Sequence, residues 1–326
     1  MHVLVTGAAG MLGRKFLERL ARDPGALGAP VDRLTLVDVV AASPPPALAA
    51  ISTPVATDFS QEGVSDGLVA ARPDLVVHLA AVVSGEAEAD FDKGYRINLD
   101  GTRRLIEAIR HEGARGPAYR PRLVAASSIA VFGAPFPERI DDTFFCQPLT
   151  SYGTQKAIGE LLINDYSRRG ILDGISLRLP TLIVRPGAPN AAASGFFSGI
   201  LREPLAGKEA ILPVDDDVRH WFASPRAAVG FLVHAATMDL AAAGPRRALT
   251  MPGLSATVAE EIEALRAVAG EAAVRLIRRV PDERIRAIVA GWPRDFDTAR
   301  ASALGFTADA SLEAIVRAYV EDERIG

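Results

Sequence analysis

Near the start of the chain a glycine triplet, Gly7-Ala8-Ala9-Gly10-Met11-Leu12-Gly13, joins the β-branched run HVLVTG (2–7) to the helical pattern MLGRKFLERLARD (11–23). A strand that must become a helix within a few residues, with three positions lacking Cβ, leaves few folds open. Glycine permits the tight turn and a close approach of backbone to another group. The free N–H groups and dipole at the helix start favour an anion such as a pyrophosphate. Glycine is common here, with 28 in the chain, so the spacing alone says little. Its place at a strand-to-helix junction makes Gly7, Gly10, Met11, Leu12 and Gly13 a candidate cofactor cradle.

The alternation continues downstream. Short, continuously apolar runs recur at RLTLVDV (33–39), TPVAT (53–57), DLVVHLA (74–80), PRLVAASS (121–128) and GISLRLP (174–180). Such runs suit strands covered on both faces, as in a parallel sheet. Helical patterns lie between them, including LDGTRRLIEAIRHEG (99–113) and YGTQKAIGELLINDYSRRG (152–170), where Ile158, Leu161, Leu162 and Tyr166 form an apolar stripe. The order predicts an α/β fold with a doubly wound parallel sheet. Residues 184–214 then turn rich in Gly, Pro and Ala, which reads as a loop and short helix able to close over a ligand. A buried helix is expected at 224–238, a further strand at 247–253, and mostly helix from 256 to 323, broken at Gly270, Pro281 and 291–295.

Composition narrows the function classes. A hydrophobic share of 49% and a net charge of −4 describe an ordinary globular chain with no general attraction to nucleic acid or anionic membrane. The single cysteine, Cys146, excludes an intramolecular disulfide and a Cys-based metal cage, and no His/Asp/Glu cluster suggests a metal. Met1-His2 runs straight into the first strand without a signal peptide, and no apolar run is long enough to span a bilayer. The expected location is the cytoplasm.

Two further features carry chemistry. Asp38 ends the second strand, where a carboxylate accepts hydrogen bonds from the ribose hydroxyls of an adenosine and repels a 2′-phosphate. Val39, Val40 and Ala41 follow it, with no cation to receive that phosphate, so NAD is favoured over NADP. Tyr152 and Lys156 lie one helical turn apart in SYGTQKA. With only five Tyr and four Lys in the chain, chance would supply such a pair about 0.06 times. A fixed ammonium beside a phenol favours the phenolate and makes tyrosine a usable base. Asp58-Phe59 and His78-Leu79-Ala80-Ala81 end the third and fourth strands on the same edge; His78 is expected to be structural.

Taken with NLDGT (98–102), SSIAVFG (127–133), SYGTQK (151–156) and RLP (178–180), these elements resemble the extended short-chain dehydrogenase/reductase family, over essentially the whole chain. The resemblance implies a Rossmann domain, placed at 1–178 plus 215–243, and a smaller, mostly helical C-terminal substrate domain at 179–214 plus 244–326. It implies Tyr152 as general acid/base, Lys156 on the nicotinamide ribose, and Ser128 on the substrate oxygen, with Ser127 as a substrate or backbone contact. Cofactor contacts are implied at Asp38, Asp58, Phe59, Leu79, Ala80, Ala81, Asn98 and Pro180, and a homodimer through helices near 94–113 and 152–169. The stretch 178–214 resembles a subgroup that oxidises C2 of a four-carbon sugar acid such as D-erythronate. A sugar acid needs a cationic handle for its carboxylate. Arg185 and Asn190 are the first candidates and Arg219 the second; His220 and Trp221 are open to either a pocket wall or plain packing. Two alternatives stay open: a nucleotide-sugar epimerase or dehydratase that retains its NAD, and a non-catalytic NAD-sensing protein.

Overall fold

The computed structural model describes residues 1–187 and 193–323. The strands, in chain order, are β1 (His2–Thr6), β2 (Arg33–Asp38), β3 (Ser52–Ala56), β4 (Leu75–His78), β5 (Arg122–Ser128), β6 (Asp173–Leu179), β7 (Thr181–Leu182), β8 (Ala210–Leu212), β9 (Arg219–Ala223), β10 (Ala248–Thr250), β11 (Leu254–Thr257) and β12 (Ile277–Arg279). The helices that matter below are α1 (Met11–Arg22), α2 (Val64–Val69), α3 (Ser84–Ala89), α4 (Phe91–Gly94), α5 (Thr102–Gly113), α6 (Ser151–Arg168), α7 (Gly195–Leu205), α8 (Pro225–Thr237) and α9 (Val258–Val274). Among the described residues no helix is long and apolar enough to cross a membrane.

The chain folds as two compact units. The first comprises Met1–Val131, Thr150–Arg178 and Val229–Leu249; the second comprises Phe132–Leu149, Leu179–Ala228 and Thr250–Gly326. Residues 132–149, 215–228 and 244–249 are thus apportioned differently from the sequence-based division. Aromatic contacts of Phe132 with Phe144 and Phe296 hold 132–149 in the second unit. Pairing of β9 with β7 and β11 draws in 219–223, and β10 draws 248–249 into the main sheet.

That main sheet has seven strands in the order β10-β6-β5-β4-β1-β2-β3. The pairs β1–β2, β1–β4, β2–β3 and β4–β5 are parallel. This is the Rossmann architecture, with the strand order reversing between β1 and β4, so that a crevice opens at their carboxyl ends. β1 and β4 are buried along their whole length, as continuous apolar runs require. Leu105, Ile106 and Ile109 of α5 and Ile163 of α6 pack with Leu4, Val76 and Leu123 of the sheet in one core. Not every apolar stripe faces inward: on α6 the buried positions include Gly153, Gln155, Gly159, Glu160 and Ile163, while Leu161 is 71% exposed. A seven-residue π-helix at Tyr95–Gly101 precedes α5, a feature that side-chain periodicity did not announce.

The second unit is mostly helical but carries two small sheets, β11-β9-β7 and β12-β8. Its core gathers Phe197 and Ile200 of α7, Phe222 of β9 and Ile262 of α9. Within α9 the φ of Gly270 is +78°, and the helix kinks there.

Candidate active site

The glycine turn is built for close approach. Gly7 has a φ of +73°, and a Cβ there would lie 2.7 Å from the amide nitrogen of Ala80. A Cβ on Gly13 would lie 2.4 Å from the Gly7 carbonyl oxygen. A side chain on Gly7 would push the loops after β1 and β4 apart, and one on Gly13 would push α1 off the turn that precedes it. Gly10 caps α1 without using a side chain, so Met11 and Leu12 open the helix with their N–H groups toward the turn. The Asp38 carboxylate accepts from the amides of Ala9 (2.9 Å) and Val39 (2.7 Å), which fixes it beside the glycine turn. Val39 and Val40 are exposed and offer no cation. An anion cradle, a fixed carboxylate and missing Cβ atoms at the crevice fit a dinucleotide, and fit NAD better than NADP.

The other cofactor candidates lie at the same sheet edge with mixed employment. Partial burial works against the charged form of Asp58, but hydrogen bonds from Ser60 and Arg96 outweigh it and hold its pKa below the usual carboxylate range. Phe59 is buried edge-on to His78, with ring centroids 5.4 Å apart. Leu79, Ala80 and Ala81 follow β4, and the Leu79 amide donates to Thr6 O at 3.0 Å. Asn98 binds the main chain of Val82 in both directions and donates to Gln155 at 2.8 Å, a bracket between the β4 loop and α6. His78 bonds Thr6 and Thr102 through its two ring nitrogens; burial, reinforced by the Lys156 charge, pushes it down to about 3, so it is neutral and structural. Pro180 belongs to the second unit.

Three side chains meet at the start of α6. Thr150 caps that 18-residue helix by accepting from Gly153 N at 3.0 Å, which places Tyr152 in the first turn at the positive end of the dipole. Ser128 lies beside the Tyr152 phenol and acts to lower its pKa. Lys156 Nζ stands 5.7 Å from the Tyr152 ring centre and donates to Ala126 O at 2.9 Å, which leaves further N–H donors for ligand hydroxyls. Burial pushes the Tyr152 phenol up to about 12, against which Ser128 acts. Lys156 is not the group that lowers it. The expectation of a depressed tyrosine fails because burial of the phenol itself outweighs what lowers it; the Lys156 ammonium is also desolvated, pushed down to about 8 with Glu160 opposing the fall.

Ser127 is placed differently from its neighbour. The buried Ser127 hydroxyl donates to Glu160, two turns further along α6 than Tyr152, at 2.6 Å instead of standing ready for substrate. Glu160 is held by Arg178, whose Nη2 donates at 2.8 Å and Nε at 3.0 Å. Sequence analysis missed both. A visible signal existed: an arginine inside the buried strand run ISLRLP demands a counter-ion.

In the second unit the Arg185 side chain reaches, among the described residues, only hydroxyls, Ser198 at 3.4 Å and Ser194 at 3.5 Å. Burial, with the like charge of Arg202, pushes its guanidinium pKa down. No carboxylate is paired with it among the described residues. Arg219 is half-exposed and engaged by Ser255 O (2.9 Å) and Glu260 (3.3 Å). Asn190 lies outside the described residues. His220 is buried between Thr181 and Pro293 O and pushed down to about 4 by that burial, and Trp221 donates to Met251 O, so both serve packing. Trp221 and Arg219 also line a cavity of about 1110 Å³ with Arg139, Trp292, Arg294 and Phe296.

A dinucleotide cradle and a tyrosine–lysine–serine cluster at the crevice of a Rossmann sheet are the equipment of an NAD-dependent dehydrogenase. The chain belongs to the NAD dependent epimerase/dehydratase family, whose model matches residues 3–238, and its cofactor is NAD. It is 48% identical to the D-erythronate dehydrogenase of Cupriavidus necator, over 99% of this chain and 98% of that one. It is 38% identical to the D-erythronate dehydrogenase of Haemophilus influenzae, over 98% and 99%. A crystal structure described as the nucleoside-diphosphate-sugar epimerase from Agrobacterium tumefaciens superposes with a TM-score of 0.97 at 59% identity, covering 99% of this chain and 94% of that one.

Proposed function

We propose that the protein oxidises the C2 hydroxyl of a small sugar acid, D-erythronate above all, to the 2-oxo acid. The observation that carries the chemistry is the grouping of Tyr152, Ser128 and the Lys156 ammonium at the start of α6. Bound NAD supplies the two-electron hydride acceptor. Tyr152, once ionised, takes the hydroxyl proton and returns to the phenol, Ser128 donates a hydrogen bond to the same oxygen, and the helix dipole favours the phenolate that must be present beforehand. Gly7, Gly10, Gly13, Met11, Leu12 and Asp38 hold the dinucleotide, and Lys156 its nicotinamide ribose. Arg185 supports an acid as substrate, because a part-buried guanidinium without a counter-anion gains most from a bound carboxylate. Two similar proteins named for D-erythronate favour that acid.

The same reading includes a homodimer through the helices near 94–113 and 152–169, for which the exposed Leu161 offers an apolar face. Leu161→Asp should shift sedimentation toward the monomer.

A second reading, a nucleotide-sugar epimerase, is favoured by the Agrobacterium tumefaciens protein and by the large arginine- and tryptophan-lined cavity. The occupied Arg219 and the Arg139–Asp295 pair at 2.9 Å speak against a diphosphate subsite there. The two readings separate in one cuvette. Growth of NADH absorbance on adding D-erythronate and NAD supports the dehydrogenase. No growth with any four- to six-carbon aldonic acid, together with NAD that copurifies, would replace it with the epimerase.

A further inference from the structure

Three turns of α6 meet the last three residues of β5: Lys156 donates to Ala126 O at 2.9 Å, Glu160 accepts from Ser127 at 2.6 Å, and Tyr152 lies beside Ser128. The contact at Glu160 is unlike the others, because it includes an ion pair sealed in the core: the side chains of Arg178 and Glu160 are 10% and 5% exposed. A buried pair is seldom a net source of stability, since removing two charges from water costs about what their attraction returns. Its presence directly behind the reacting residues therefore asks for another reason. Resting on the catalytic reading above, we infer that Glu160, locked by Arg178 and Ser127, is a positioning residue that holds the Lys156 ammonium and the Ser127-Ser128 strand end in register.

The charges around Lys156 make the consequence specific. Burial pushes its ammonium down to about 8, and Glu160 is the group that opposes this. His78 of β4 is kept neutral, Tyr152 is kept a phenol, its pKa pushed up to about 12, and β5 offers a carbonyl and a hydroxyl. Arg178 of β6 is spent on Glu160. Removing the Glu160 charge therefore leaves Lys156 easier to deprotonate at the pH where an alcohol dehydrogenase works.

The test is the ionisation of Lys156 itself, followed by NMR of [15N]lysine-labelled protein with saturating NAD. The chain has only four lysines, and Lys156→Met assigns the signal. In Glu160→Gln the Lys156 midpoint should fall by about one pH unit, the scale of a neighbouring carboxylate. The alkaline limb of the kcat–pH profile should move with it. An unmoved midpoint in folded Glu160→Gln overturns the inference. Glu160→Gln leaves Arg178 buried without its partner and risks unfolding, so Ser127→Ala, which keeps the ion pair, is the second variant. It should lower kcat several-fold with KM unchanged; wild-type kcat would overturn the positioning role. If Tyr152→Phe retained turnover, the catalytic reading would fail, whereas the NMR midpoint judges Glu160 without any turnover.

Discussion

The two units of the molecule treat their buried charges differently. In the first, polar groups at the site are spent on one another: Asp38 on two amides, His78 on two threonines, Glu160 on Arg178 and Ser127. In the second, among the described residues, Arg185 meets only hydroxyls, and Glu261 of α9 is fully buried with no hydrogen-bond partner for either carboxylate oxygen. Satisfied networks are rigid and hold a geometry. Unsatisfied charges are places where a ligand or a substitution changes the energy most. On the proposed function this is a division of labour, with hydride chemistry fixed in the first unit and the acid's carboxylate left to Arg185 in the second.

The largest expected effect tests the first unit. Tyr152→Phe deletes the base and should lower kcat by about 10²–10⁴-fold, the range for general base catalysis, with NAD affinity kept. Steady-state rates with fluorescence titration of NADH check this. Next comes the second unit. Arg185→Met should raise KM for the acid by about 10–100-fold while kcat moves little, since a charge-assisted hydrogen bond contributes about 1.5–3 kcal/mol. A fall in kcat with KM unchanged would break the division of labour.

Stability sharpens the same contrast. Burial holds the Glu261 pKa well above the usual carboxylate range. A folded pKa raised above the unfolded one means the penalty is absent below about pH 4 and grows as pH rises past it. Glu261→Met should therefore stabilise the protein at pH 8 by about 1–3 kcal/mol, the cost of an unsatisfied buried polar group, and gain little at pH 4. Thermal melts at both pH values decide it. A further pH effect concerns the two buried histidines, whose folded values are depressed to about 3 for His78 and about 4 for His220. Their contribution is full above the unfolded value of about 6.5 and declines as pH falls toward the folded values. His78→Gln, which can still bond both threonines, should flatten the loss of stability between pH 6.5 and 4.

How much of this was legible follows from element length and from where charges hide. β1, β4, β5 and β6 announce themselves, because strands covered on both faces are unbroken apolar runs. The glycine turn and Asp38 were legible because their roles belong to the backbone at a strand end. The sheets of the second unit were not, since β7 has two residues and β8, β12 three each, too few to show a period. The Tyr152–Lys156 spacing correctly put both residues on one helix face. It did not reveal the direction of the tyrosine's shift, because desolvation depends on what the rest of the chain packs around α6. Ser127 and Ser128 look alike in sequence, and only the packing of α6 on the end of β5 gives the one to Glu160 and leaves the other beside Tyr152.

The most direct test is oxidation of D-erythronate deuterated at C2 in the presence of NAD, with the products read by mass spectrometry. The account predicts one deuterium on each NADH formed, a primary isotope effect when chemistry limits the rate, and a 2-oxo acid as product. NADH without label would place the oxidation at another carbon, and label exchanged within a recovered sugar with no free NADH would contradict the dehydrogenase altogether.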